Sequence, residues 1–120
     1  MDLLVHKQNT ILLDSYDVSL GNVTSNPVAL QQYSLFCIQT YWTNYTPGTD
    51  DLIIVEGSNE INKAEADRRY EQLSASIPTS GDAGVLLNYE KAGFALVRVR
   101  FETSVAGTGT ITSILNGKVI

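Results

Sequence analysis

The sequence predicts an all-β fold built as an antiparallel two-sheet sandwich. Apolar and polar residues alternate along several segments, which is the period of a strand with one buried face. Turn-forming Gly, Pro, Asn and Asp residues separate these segments at intervals of roughly eight to fifteen residues. In a chain of 120 residues, so many strands in one open sheet would leave an apolar face in water. Two stacked sheets are therefore expected.

The clearest strand covers residues 95–102. Its apolar residues share one face, and they are Ala95, Val97, Val99 and Phe101. Its charged residues share the other face, and they are Arg98, Arg100 and Glu102. A helix would distribute the three charges around its circumference and bury at least one of them, so the strand is favoured.

Residues 34–43 predict a second core strand, with Phe36, Ile38, Thr40 and Trp42 on the buried face. The loop that follows contains Pro47-Gly48, which suits a tight turn, and it precedes the apolar run 52–55. We interpret 34–43 and 52–55 as an antiparallel hairpin with a long loop. Further strands are predicted at 10–13, 17–20, 28–30, 83–89 and 108–115.

One segment favours helix instead. Asn62 precedes Glu65 by three residues, the offset of a capping box, and residues 63–69 have helical propensity. A short helix or helical turn is predicted over residues 62–69. The spacing of Tyr70 and Leu73 suits a helix, whereas that of Glu71 and Leu73 suits a strand, so the end of the segment stays open.

Composition predicts one domain over residues 1–120, with residues 1–9 forming either a docking arm or the first strand. The net charge of -5 opposes binding to a nucleic-acid backbone. No apolar run approaches the roughly 20 residues that span a bilayer, and no secretion leader is visible. Cys37 is the single cysteine, which excludes an internal disulfide, and its apolar neighbours predict a small buried hydrophobe.

The sequence contains no recognisable catalytic set, and we predict no enzyme activity, cofactor or metal. His6 is the single histidine, so a Ser-His-Asp triad and multi-histidine metal sites lack their usual groups. Carboxylate pairs at Asp50-Asp51 and at Glu56 with Glu60 have no diagnostic glycosidase spacing. Calcium binding by Asp50, Asp51, Glu56 and Asn59 is chemically feasible, but the calcium-loop motif is absent.

Two groups of residues are candidates for binding a partner. The apolar stretch Leu3-Leu4-Val5, followed by His6, is the leading docking element, with an ordinary first strand as the alternative. Among the aromatic residues, alternation places Trp42 inward. It leaves Tyr41 and Tyr45 as possible surface platforms for a sugar ring or another partner.

Four short segments resemble capsid decoration (cement) proteins of tailed bacteriophages. They are FCIQTYWT at 36–43, VEGSNE at 55–60, ALVRVRF at 95–101 and GTGT at 107–110. They occur in the order typical of that group. This chain departs from the pattern at residues 61–69, where a short turn and a tryptophan are usual, so the role of that loop is in doubt.

The resemblance implies a jelly-roll-like sandwich on the outside of a phage capsid. It implies binding to the major capsid protein as a homo-oligomer, either a dimer or a trimer, without catalytic residues. Such a protein would be made in the host cytoplasm, would stabilise the capsid lattice, and would contact neither membrane nor nucleic acid. The alternative is a carbohydrate- or receptor-binding module of a phage fibre.

Overall fold

The fold is an antiparallel sandwich of two β-sheets, which confirms the predicted class. In this computed structural model, residues 6–30, 33–90 and 95–119 are described. Sheet A has the strand order β1-β9-β4-β7, and sheet B has the order β2-β8-β5-β6, with β3 also paired to β8. The strands are β1 (His6–Asp17), β2 (Val23–Thr24), β3 (Val28–Ala29), β4 (Leu35–Thr46), β5 (Leu52–Ser58), β6 (Glu71–Ser76), β7 (Gly81–Glu90), β8 (Leu96–Glu102) and β9 (Thr108–Val119).

The core lies between the two sheets and is lined by alternate residues of the central strands. In β8, Val97, Val99 and Phe101 are fully buried, as the alternation predicts. Sheet A contributes the inner residues of β4 and β9, which include Phe36, Ile38, Trp42, Ile111 and Leu115. The close fit of these apolar side chains is the main source of the stability of the sandwich.

The predicted hairpin between residues 34–43 and 52–55 is wrong. Both segments are strands, but β4 pairs with β7 and β9 in sheet A, whereas β5 pairs with β6 and β8 in sheet B. The connection at residues 47–51 therefore crosses from one sheet to the other. Local sequence identifies two strands and a loop, but their partners come from distant parts of the chain.

The first part of the chain also differs from prediction. β1 contains the predicted strand 10–13, but residues 17–20 do not form a separate strand. Asp17 ends β1, and its carboxylate accepts a hydrogen bond from Ser19 N (3.0 Å), which starts a 3-10 turn at Val18–Leu20. The short strand β2 was not predicted.

The alternation of β4 breaks near its end. Trp42 is buried as predicted, and Tyr41 is exposed. Asn44 then adopts a positive φ of 51°, and the pairing registers of β4 shift between residues 42–46. This β-bulge reverses the direction of the following side chain. The expected exposure of Tyr45 is therefore wrong, because Tyr45 is only 2% exposed and belongs to the core.

The connection between β5 and β6 contains a helical turn, as predicted, but not the capping box. A 3-10 turn covers Glu65–Asp67, and Ala64, not Asn62, occupies the N-cap position without a side-chain hydrogen bond. The chain beyond it is the strand β6, which resolves the open choice at Leu73 in favour of a strand.

Two further expectations concern Cys37 and the N-terminal arm. Cys37 is only half-buried, so its predicted burial in the core is wrong; it pairs with Asn88 and Asn116 on the outer face of sheet A. His6 begins β1, opposite Val119. Leu3, Leu4 and Val5 lie outside the described residues. None of the helical segments within those residues is long and apolar enough to cross a membrane.

Candidate interaction surfaces

One end of the sandwich gathers four connections between the sheets, and we call it the loop end. Its segments are residues 18–22, 47–51, 77–80 and 103–107, and each joins a strand of sheet A to a strand of sheet B. Strand order places the four segments side by side, in the sequence 77–80, 47–51, 103–107 and 18–22. Neighbouring strands are about 4.8 Å apart, so the row spans about 15 Å.

Hydrogen bonds tie these neighbouring loops together. Thr49 and Val105 form an isolated β-bridge, and Ser104 N donates to Thr49 O at 2.8 Å. On the other side, Thr103 N donates to Asn22 Oδ1 at 2.8 Å. The hydroxyl of Tyr16 donates to Gly21 O at 2.7 Å. Three of the four loops, 18–22, 47–51 and 103–107, are therefore connected by hydrogen bonds.

Two glycines allow loops 47–51 and 103–107 to touch through their backbones. A Cβ atom on Gly48 would lie 1.9 Å from Val105 O, and one on Gly107 would lie 2.0 Å from Thr46 O. Both distances are far below van der Waals contact, and the obstructing atoms are backbone. Glycine is required at both positions because a side chain would force the loops apart.

A buried tyrosine and aspartate anchor the 47–51 loop from below. The hydroxyl of Tyr45 donates to Asp51 Oδ2, and Gly48 N donates to the same oxygen at 2.8 Å. Burial by itself raises the pKa of Asp51, but the polar surroundings from Thr103, Tyr45 and Gly48 outweigh it and lower that pKa. The hydroxyl of Thr103 donates to Val105 O at 2.9 Å. The hydrogen bonds that Asp51 accepts therefore come from Tyr45 and Gly48. Burial next to this carboxylate raises the pKa of Tyr45.

The loop end exposes large apolar side chains. Leu20, Ile77 and Val105 are 73%, 74% and 63% exposed, and each comes from a different loop. A shallow depression beside Ile77 is lined by the 47–52 segment and Pro78. Leu20 and Val105 stand on loops held by hydrogen bonds, and all three side chains lie at the same end of the sandwich.

The outer face of sheet B carries a network of ion pairs. Glu56, whose side chain is 6% exposed, pairs with Arg98 (2.5 Å) and Arg100 (3.5 Å). Arg98 also contacts Glu65 (2.9 Å) and lies 3.6 Å from the centre of the Tyr70 ring. These contacts hold residues 59–70 against the sheet. The network has the character of a structural clamp, since its charges are mutually compensated.

The carboxylates considered for catalysis or calcium do not assemble into a site. Hydrogen bonds from Lys63 and from Arg69 N lower the pKa of Glu60 to about 2, so Glu60 is a poor proton donor at neutral pH. Asp50 accepts from Ser104 at the loop end, and Asp51 is buried beneath it. Across the described residues, no group of three or more His, Cys, Asp or Glu side chains is placed to hold a metal ion.

The predicted aromatic platforms are not brought together. Tyr41 is 40% exposed on the outer face of sheet A, whereas Tyr45 is in the core, so they cannot share one binding surface. Sequence reasoning missed Leu20, Ile77 and Val105. Each stands next to turn residues, as in Leu20-Gly21, Ile77-Pro78 and Val105-Ala106-Gly107. An apolar residue in a turn is the signal that would have identified them.

Comparison with known proteins identifies similar structures but no sequence family. No family model matches the chain, and no curated protein matches it. The crystal structure of YomS, a protein derived from the SPBc2 prophage, aligns with a TM-score of 0.62 at 12% identity. That alignment covers 98% of this chain and 97% of YomS.

A chain from the infectious bursal disease virus Gx strain aligns with a TM-score of 0.55 at 7% identity. The alignment covers 96% of this chain but 32% of the viral chain, so this protein corresponds to about a third of it. A chain from the disulfide-linked pili of Bacillus endospore appendages matches with a TM-score of 0.47, at 11% identity, over 97% of this chain and 89% of that one. The matches to YomS and to the viral chain show that the fold occurs in prophage-derived and viral proteins.

Proposed function

We propose that the protein is a non-enzymatic structural component of a phage virion. It decorates the outer surface of the capsid and stabilises it by binding major capsid protein subunits through the loop end. The observation that carries this proposal is the row of loops that exposes Leu20, Ile77 and Val105 at one end of the sandwich. A fold shared with a prophage-derived protein and with a viral chain supports the setting.

Strand order supports a jelly-roll topology. Each sheet has four main strands, in the orders β1-β9-β4-β7 and β2-β8-β5-β6, and the connections at the loop end all cross between sheets. Two interlocked antiparallel sheets of this kind describe the jelly roll that recurs in viral capsid and lectin domains. Fold alone does not give function, so the argument depends on the loop end.

The loop end is suited to binding a preformed surface. Its backbone is held by the Thr49–Val105 bridge and by the Tyr45–Asp51 anchor, so little conformational entropy is lost when a partner binds. Burial of the three apolar side chains supplies a favourable contribution. On a symmetric shell the same contact repeats at every lattice position, which is how small contacts stabilise a large assembly.

The test uses phage capsids that lack this protein. The wild-type chain is expected to bind at a fixed number of copies per capsid and to raise the temperature at which the capsid disassembles. A triple variant, Leu20→Asp, Ile77→Asp and Val105→Asp, is expected to lose at least about tenfold in affinity, because three charges would enter an apolar contact.

Ile11→Asp provides the matched control. Ile11 is 58% exposed on β1, away from the loop end, so its replacement should leave capsid binding unchanged. Circular dichroism would verify that all variants fold. Failure of the wild-type chain to bind would refute capsid decoration, and unchanged binding by the triple variant would refute the role of the loop end.

Tyr41 favours a second candidate, a carbohydrate- or receptor-binding module of a phage fibre. Its ring is exposed on the outer face of sheet A, where a sugar can stack on it. In that case, Tyr41→Ala should abolish binding to glycans or host cells, while the triple loop-end variant should still bind. The opposite pattern is expected for capsid decoration.

A further inference from the structure

The edges of the two sheets differ in how open they are to another strand. Sheet A ends at β1 on one side and at β7 on the other, and sheet B ends at β6 and at the short strands β2 and β3. An edge strand presents unpaired backbone groups to any extended segment that can align with it. Natural proteins usually interrupt or charge such edges.

Most edges here are short or irregular. β1 contains two register shifts and a positive φ at Ser15. β6 has six residues and one register shift, and β2 and β3 have two residues each. Bulges and short strands of this kind discourage pairing with another chain.

β7 is long and regular by comparison. It has ten residues. Its first residue, Gly81, has a positive φ of 93° next to a register shift, but from Ala83 opposite Trp42 to Glu90 opposite Leu35 the pairing with β4 runs without a shift. The sequence of β7 contains no Lys, Arg or Pro, the residues that commonly block an edge. Within the described residues, no strand pairs with its second side.

The side chains of β7 also suit an added strand. Val85, Leu87 and Tyr89 face the core but are only partly buried, because they lie at its margin. Leu86 points to the other face and is 58% exposed. A neighbouring strand with apolar residues on both faces would cover all four.

We propose that β7 pairs with β7 of a second copy of this chain, antiparallel, about a two-fold axis at Val85. In this register every large residue faces a small one. Tyr89 faces Gly81, Leu87 faces Ala83 and Leu86 faces Gly84, while Val85 faces itself. The strand is thus complementary to its own reversed sequence, which a two-fold interface requires.

Polar residues favour the same register. Asp82 faces Asn88 of the second copy, and this pair occurs twice. The Oδ1 atom of Asp82 accepts a hydrogen bond from Asn44 N at 2.7 Å, which fixes the position of the carboxylate. A register centred on Leu86 would instead place the acidic positions 82 and 90 opposite each other, which is unfavourable. A register centred on Gly84 would place the charged Asp82 opposite the apolar Leu86.

Such pairing joins two four-stranded sheets into one continuous sheet. An antiparallel ladder over residues 82–88 adds roughly one interchain hydrogen bond per residue. The apolar margin at Val85, Leu87 and Tyr89 becomes interior. The β7 edge shares no residue with the loop end, so the dimer can form with or without a capsid.

The experiment measures the dimer of the purified chain by sedimentation velocity across a concentration series. Asn88→Asp places like charges opposite each other twice, and it should raise the dissociation constant of the dimer at least about tenfold. The double variant Asp82→Asn with Asn88→Asp restores a carboxylate–amide pair at both sites. Its dissociation constant should return to within about threefold of the wild-type value.

Rescue by the double variant distinguishes this register from general loss of folding, which circular dichroism would also report. A wild-type chain that remains monomeric up to about 1 mM would overturn the proposal. A dimer that is insensitive to Asn88→Asp, or that the second substitution does not restore, would overturn it as well. Because no capsid is present, these outcomes are independent of capsid binding.

Discussion

Replacement of Tyr45 by Phe removes one hydroxyl from the anchor beneath the loop end. The ring stays in the core, because Tyr45 is 2% exposed and Phe fills nearly the same volume. What is lost is the hydrogen bond to Asp51 Oδ2, which leaves Gly48 N as the remaining donor to that oxygen. A buried carboxylate then has fewer donors to replace its lost hydration.

The expected cost is about 2 kcal/mol in the free energy of unfolding at neutral pH. A hydrogen bond to a charged group contributes about 1.5–3 kcal/mol, and a buried group left without its partner adds to the loss. Asp51 is 6% exposed, so water restores little of this. In a domain of this size, 2 kcal/mol lowers the melting temperature by about 8 °C.

The destabilisation caused by Tyr45→Phe must also depend on pH, and the pKa of Asp51 determines the direction of that dependence. Its pKa in the folded protein is lowered from the ordinary 3.8, so ionised Asp51 stabilises the fold above that pH. This contribution is lost as the pH falls through the folded-state pKa. In the Tyr45→Phe variant, one hydrogen bond that lowers the pKa of Asp51 is lost, so this pKa rises above its wild-type value. The destabilisation should therefore be largest at neutral pH and shrink in acid.

Urea unfolding at pH 7 and at several values below pH 4 measures this difference. Tyr41→Phe is the matched control, because Tyr41 lies in the same strand with its ring 40% exposed; its effect should stay below about 0.5 kcal/mol. A cost for Tyr45→Phe as small as that of the control would refute the anchor. A cost that does not decrease in acid would refute the role given to ionised Asp51.

Two further substitutions test the clamp and the loop contact. Glu56→Gln should cost about 1–3 kcal/mol in urea unfolding, since it removes a buried charge shared by two arginines. Glu102→Gln, at the half-exposed pair with Arg100, should cost under about 1 kcal/mol, and equal costs would contradict the clamp. Gly48→Ala should destabilise the fold by more than Gly81→Ala, whose positive φ alone costs about 1 kcal/mol. The methyl group added at position 48 also displaces the Val105 loop, so equal costs for the two substitutions would contradict that geometry.

Local pattern predicted the strands wherever one face is buried and the chain is regular. In β8, Val97, Val99 and Phe101 point inward, while Arg98 and Arg100 remain partly exposed. A period of two determines this outcome directly, because each residue's face follows from its neighbour. The class of fold followed from several such segments.

The same rule failed at Tyr45 because the backbone departs from regular pleating. Asn44 takes a left-handed conformation, and the inserted residue reverses the faces after it. Asparagine tolerates such a conformation, but it also occurs in ordinary turns. The structure reveals the bulge through the shifted pairing registers of β4 and the burial of Tyr45 beside Trp42.

The pairing of the strands could not be predicted from the sequence, for a different reason. β5 reads as a buried run, and its outer residue Glu56 appears there as an unexplained charge. Its burial depends on Arg98 and Arg100, more than forty positions away. Contacts this distant in sequence leave no local pattern. The loop end is harder still, since Leu20, Ile77 and Val105 are brought to one end only by strand order.

The same topology gives the molecule two unlike ends, and this bears on the proposed binding to a capsid. The loop end presents apolar side chains on a backbone held by cross-loop hydrogen bonds. The β5–β6 connection, residues 59–70, lies at the opposite end and is rich in paired charges such as Glu60 with Lys63. Charged groups are favourably hydrated, whereas exposed apolar groups gain free energy when covered. The proposed capsid decoration therefore predicts that the loop end faces the capsid and the 59–70 end faces solvent.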